Sequence, residues 1–430
     1  MVRAHTPLAL LLATTIANAV DVPAQAQVID QKNFNVLGDV PPPTVANSTT
    51  VCLPEWESPG SDVIVANLSH HVVREQVFIP PGTTKESLFE KPFHIYDEEF
   101  LDIIGANPTL TLLNSSGTNP RFHEAAVWVP STDDFFFVQN AGDPAAGTGL
   151  NKSAVIQKIS LSQVTAEVAA ERNASGKVDV HLVPATPAII NPNGGTNYKN
   201  RILFAGEGQG SRVAPALYVM STNAPYNATV ILDNYFGRQF NSINDVAINP
   251  RTGEIYFTDT TYGYVQDFRP ETVIQKQVWR FNETTGAVAV AADGFNMPNG
   301  ITFSHDGKHA YVTDTGVIQG FFGRNSSFPS SIYRYDVEED GTFSSRKTFA
   351  FIAAGVPDGV HVDTKGNVYA GCGDGMHVFN PSGKLLGKIW IGSTVANFQF
   401  AGKGRMVILA ETELYYATLK AEGAFPGQLY

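Results

Sequence analysis

The chain has 430 residues, 29 of them basic and 41 acidic, for a formal charge of −12; 43% are hydrophobic, 16% are charged, and two are cysteine. That apolar share supports a large core and excludes disorder over most of the length. Two cysteines exclude a disulfide-dense miniature fold. The acidic balance leaves no clustered Lys/Arg footprint, which excludes nucleic acid as a partner.

In chain order, Arg3 and His5 precede an apolar run from Leu8 to Ile16, which Ala17-Asn18-Ala19 follows. A short basic region, an apolar region and a small-residue cleavage site predict a secretory signal over residues 1–19. A second small-residue site at Ala24-Gln25-Ala26 would extend it to 26. The run is too short to span a membrane, and no later stretch reaches the roughly 18 apolar residues a span needs. The expected location is therefore extracellular, with no membrane partner. Secretion makes the Asn-x-Ser/Thr sequons at Asn47, Asn67, Asn114, Asn151, Asn173, Asn227, Asn282 and Asn325 candidate glycan acceptors on surface loops. It also admits a Cys52–Cys372 disulfide tying the N-terminal arm to the core; two free buried thiols are the alternative.

Residues 20–120 read as an N-terminal arm, rich in Pro, Asn and Ser through Pro43. Its segment from Phe93 to Leu113 alternates enough to supply an outer strand. Residues 121–430 form one domain with it, written as a repeat. NDVAINPRTGEIYFTDT starts at Asn244, NGITFSHDGKHAYVTDT at Asn299 and DGVHVDTKGNVYAGCGD at Asp358. Each is a polar residue, a β-rich run, a Gly-containing turn and a second β run, followed by third and fourth strands such as QVWRFN and AVAVAADGF. Weaker copies begin at Glu124, Asn193 and Asn397. Units of four antiparallel strands over about 40 to 60 residues predict an all-β, six-bladed propeller. The last unit runs short, so a strand from the arm is expected to close the sixth blade and remove the open edge. Helical periodicity is confined to Ser160–Arg172, in an expected insertion between units one and two.

Each unit opens on a polar residue: Glu124, Asn193, Asn244, Asn299, Asp358 or Asn397. The first strand of a blade lines the central channel, so these side chains should converge at one end of the axis. A ring of oxygen donors with two carboxylates suits a hard cation such as calcium; the absence of a thiolate or multi-histidine cluster argues against zinc. The other reading of the same residues is that they cap strand starts through Asx turns. The Asn-Gly and Asp-Gly steps at Asn299 and Asp358 are expected to bend the chain sharply into the strand. Gly206–Gly210 opens no helix, which argues against a phosphate cradle, and no Gly-x-Ser-x-Gly elbow is present, which argues against a serine hydrolase.

The strings EAAVW, NDVAINPRTGEIYFTDTTYG, MPNGITFSHDGKHAYVTDTG and VPDGVHVDTKGNVYAG resemble the senescence-marker/gluconolactonase family of six-bladed propeller lactonases. EKPFHIYDEEF, FVQNAG, NYFGRQFNSINDV and ANFQFAGKGRM are more closely similar to the secreted fungal lactonohydrolases that open aldono- and pantoyl-lactones. The resemblance implies a calcium ion held by Glu124, Asn244, Asn299 and Asp358. One departure is Ala125-Ala126, where the wider family usually has Gly-Pro. The implied reaction is hydrolysis of a small hydroxylated lactone, its carbonyl oxygen polarised by the ion. A water attacks with help from Asp358, both ligand and base as the resemblance implies; His123 and His361 are second candidates for the base. His361, however, has opposite strand parity to Asp358 and also reads as a packed strand histidine. Glu207, Tyr262, His123, Asn193 and Asn397 are expected to wall the substrate pocket. Two further readings compete: an aryl-ester or hydrophobic-lactone hydrolase on the same ion, favoured by 11% aromatics, and a non-catalytic sugar- or protein-binding propeller.

Overall fold

The computed structural model describes residues 22–31, 79–80, 82–170, 174–402 and 404–424. The signal segment, Asn47, Asn67, Asn173 and Cys52 lie outside the described residues. Six sheets, antiparallel but for one added edge strand, follow one another around a ring. Blade one runs from Glu124 to Leu182, blade two from Pro192 to Leu232, blade three from Ile243 to Ala292 and blade four from Pro298 to Phe351. Blade five takes Val360–Trp390 and blade six Asn397–Thr418.

The arm is divided between two blades. Phe93–Ile95 adds a fifth strand to blade five, and Ala26–Val28 pairs with it in parallel as a sixth. A six-residue helix, Glu99–Ile104, separates this edge from Thr109–Ser115. The latter strand pairs antiparallel with Glu413–Thr418 and supplies the outermost strand of blade six. The alternating pattern expected to give one outer strand thus holds two strands and a helix. Phe100, Ile103 and Ile104 of that helix are buried, and their apolar spacing is hard to tell from a strand's over so short a run.

The helix Leu161–Ala170 does not lie between blades one and two. It is inserted inside blade one, before its fourth strand, His181–Leu182. That strand has two exposed residues, too few to leave a period in the sequence.

Burial follows the ring. The inner strands Ile243–Ile248 and Pro298–Phe303 are buried at every residue, as strands covered on both faces must be. Among the described residues, six of the eight apolar clusters lie between adjacent blades. The seam between blades six and one contains Leu113 from the closing strand and Phe122 from the chain leading into blade one. Cys372, on the second strand of blade five, is fully buried and has no disulfide partner among the described residues.

Candidate active site

The site is built by one irregularity repeated in four blades. Pairing of the first two strands breaks between Glu124 and Val127, Pro192 and Gly195, Ile243 and Val246, and Pro298 and Ile301. A bulge at a strand start re-aims the side chains it carries. Here it turns Glu124, Asn193, Asn244 and Asn299 into the end of the channel.

The glycines that follow these positions make space. Gly194, Gly300 and Gly359 have no left-handed φ; the chain bends at Gly359 as expected, whereas Gly300 lies within a strand. A Cβ on Gly300 would stand 2.5 Å from the Asp358 carbonyl oxygen, and one on Gly359 would stand 2.6 Å from the Asn397 side chain. Each glycine admits the ring residue of the next blade. Ala125, in the corresponding place after Glu124, adopts a left-handed φ of 51°, an uncommon conformation for a residue with a Cβ.

Five ring residues, Glu124, Asn193, Asn244, Asn299 and Asp358, line a cavity of about 350 Å³. Tyr262, Glu207 and His123 also line it, as expected from the sequence, and Asp143, Gln266 and Glu411 join them. Asn397 stands behind the ring instead: its Nδ2 donates to Glu124 Oε2 at 2.6 Å, and its Oδ1 accepts from the Phe398 amide. His361 does not line the cavity either. It packs edge-on against Phe398, with ring centroids 5.0 Å apart, and burial pushes its pKa down to about 4. The cause is strand alternation: Val360 and Val362 face the core between blades four and five, which sends His361 to the opposite side.

Four oxygens of described residues lining the cavity are buried without a hydrogen bond, Asn140 Oδ1 and, in the ring, Asn244 Oδ1, Asn299 Oδ1 and Asp358 Oδ1. Asn299 donates its Nδ2 to the Tyr262 hydroxyl at 3.2 Å, which leaves the carbonyl end free. Buried acceptors without donors are costly unless a ligand completes them. The carboxylates nearby tell the same story. Burial, with the Asp358 charge beside it, raises the Glu124 pKa well above its usual range, and burial raises Asp358 to about 7. Asp245, under the ring, is also raised to about 7 by burial, while its oxygens accept from the Val246 and Ile301 amides. Such a cluster holds more negative charge than His123 beside it offsets. Two amide oxygens and two carboxylates fit a hard divalent cation, and among the described residues no group of three His, Cys, Asp or Glu side chains offers a softer site.

The residues that hold the ring were not singled out in the sequence. In the repeated Thr-Asp-Thr string, Asp259 accepts from the Asn241 and Ser242 amides and Asp314 from the Asn296 and Met297 amides. Each carboxylate fixes its own blade's chain two or three residues before the ring position. The preceding threonines reach across: Thr258 Oγ1 donates to the Asn299 carbonyl at 2.7 Å and Thr313 Oγ1 to the Asp358 carbonyl at 2.9 Å. The repetition of Thr-Asp-Thr was the available signal.

Residues 167–411 match the model of the SMP-30/Gluconolactonase/LRE-like region. The chain belongs to this family. Lactonohydrolase oryL of Aspergillus oryzae is 28% identical over 326 residues, covering 70% of this chain and 68% of that protein. A gluconolactonase of Zymomonas mobilis is 30% identical over 196 residues, 42% of this chain and 51% of the relative. Among solved structures, a gluconolactonase of Xanthomonas campestris shares the fold at 21% identity with a TM-score of 0.59, covering 76% of this chain and 94% of its own.

Proposed function

We propose that this family member is a secreted, calcium-dependent lactonase that opens small hydroxylated lactones of the aldono or pantoyl type to hydroxy acids. The observation that carries the reading is the convergence of three buried, unpaired oxygens, Asn244 Oδ1, Asn299 Oδ1 and Asp358 Oδ1, on one cavity beside Glu124. The names of the lactonohydrolase and gluconolactonase relatives support the reaction class.

Glu124, Asn244, Asn299 and Asp358 would hold the ion. Bound there, calcium supplies Lewis acidity to the lactone carbonyl. Asp358 takes a proton from the attacking water as the new C–O bond forms, and the proton passes to the ring oxygen as its bond to the acyl carbon breaks. Lactone and water give a hydroxy acid. A cavity of about 350 Å³ suits one small ring, and Asn193, Glu207, Asp143 and Gln266 offer its wall to hydroxyl groups. Asn151, Asn227 and Asn325 are exposed and suited to glycans, in keeping with secretion.

A pH-stat assay on γ- and δ-lactones tests the reading. Acid release should stop with a chelator and return with calcium, and Asp358→Asn should lose at least about a hundredfold in kcat without unfolding. Calcium binding with no acid released from any lactone would favour a binding propeller instead.

A further inference from the structure

Beside the ring lies a pair that the metal set does not use. Glu411 occupies the two-residue turn between the strands Arg405–Ala410 and Glu413–Thr418 of blade six. Its φ is 59°, a left-handed conformation in which Gly, Asn or Asp is the ordinary choice. The Phe122 amide donates to the Glu411 carbonyl at 2.8 Å, and Ser116 N and Oγ donate to the Thr412 carbonyl. The last blade's turn is therefore fastened to the chain just before Glu124.

That fastening places the Glu411 carboxylate against His123. Both oxygens stand 3.1 Å from Nδ1, and both residues line the cavity. Asn140 Nδ2 is 3.3 Å from the same nitrogen and its Oδ1 is unpaired, so an amide flip would turn that oxygen to accept from Nδ1–H as well. A carboxylate fixed on one ring nitrogen keeps a proton there and aims the other nitrogen. His123 is also the only basic side chain among the described residues that line the cavity.

We propose that Glu411 is a positioning residue that holds His123 by Nδ1–H, so that Nε2 binds an oxygen of the lactone next to the ring of four metal-binding residues. The inference rests on the lactonase reading for its ligand. Its geometry rests on the Glu411–His123 contact alone.

Amide replacements separate the two ring nitrogens. His123→Asn keeps a donor to Glu411 and removes the group at the Nε2 position, whereas His123→Gln places an amide near Nε2. The expected result is a loss of about tenfold or more in kcat/KM for His123→Asn, with partial recovery in His123→Gln. Glu411→Leu should match His123→Asn, and the double variant should fall no further, because both act through one contact. Calcium affinity should stay within about twofold in all of them. In proton NMR of the calcium-loaded protein, a far-downfield Nδ1–H signal should be present in the wild type and absent in Glu411→Leu. Wild-type kcat/KM in His123→Asn, or independent, additive losses in the double variant, would overturn the proposal. If the wild type opens no lactone, the lactonase reading and the Nε2 role fall together. In that case the NMR signal still decides the orienting contact, and its absence from the wild type overturns that part.

Discussion

The histidines show how differently one residue type is used at single positions. His123 is buried at the cavity, yet Glu411, with help from Glu124 and Asp358, outweighs the cost of burying its charge and pushes its pKa up to about 10. His361 and His94 are buried without such a partner, and burial lowers both to about 4. The folded state keeps these two neutral, while the unfolded chain takes up a proton at each below about 6.5. The contribution of each of these histidines to stability should therefore be full above that pH and fall between 6.5 and 4, by up to about 1.4 kcal/mol per pH unit, while the raised carboxylates Asp245 and Asp358 act in the opposite sense. Urea unfolding at pH 7.5 and 5.0, compared between wild type and a variant lacking one histidine, isolates that histidine's share. His361→Phe, whose ring can keep the contact with Phe398, should narrow the gap; an unchanged gap would assign the acid sensitivity elsewhere.

At the scale of the element, the unit of construction is a bulged inner strand steadied by its neighbour. A Thr-Asp pair at the end of a second strand holds its own blade's approach and touches the next blade's ring residue. Thr313→Val removes only the hydroxyl that reaches the Asp358 carbonyl, so it should weaken calcium binding by about tenfold with a stability loss of about 1 kcal/mol. Calorimetric titration would show it. Gly300→Ala should be more severe in both respects, since its Cβ would stand 2.5 Å from a backbone oxygen. The blades were legible in the sequence because Asn244, Asn299 and Asp358 open nearly superposable strings. The bulges, the crowding around Gly194, Gly300 and Gly359, and the place of Asn397 behind Glu124 were not. They arise from contacts between blades, which no period within one blade encodes. Glu411 was missed for the same reason: it comes from a turn at the far side of the last unit and meets His123 only across the closed ring.

For the whole molecule, the cavity is where six sheets meet, and filling it should act on all of them. Calcium that binds only the folded chain should raise Tm, adding about 1.4 kcal/mol for each tenfold rise in free ion above Kd. Scanning calorimetry across a calcium series should show this for the wild type and a flat response for Asn244→Ala. Leu113, fully buried in the seam between blades six and one, offers a test of the closure itself. Leu113→Ala should cost about 2–5 kcal/mol and lower activity only through the folded fraction, leaving kcat per folded molecule unchanged.

That seam also sets a schedule. His123 and Glu411 are 288 positions apart, and the strand Thr109–Ser115 waits for its partner Glu413–Thr418. A chain emerging from the ribosome carries Glu124 early but has no complete pocket until the sixth blade arrives and the circle shuts. Long waits of this kind slow folding and leave edges exposed. Turnover is then a certificate of a finished ring: a molecule with five good blades and an open seam lacks the walls of the reaction chamber.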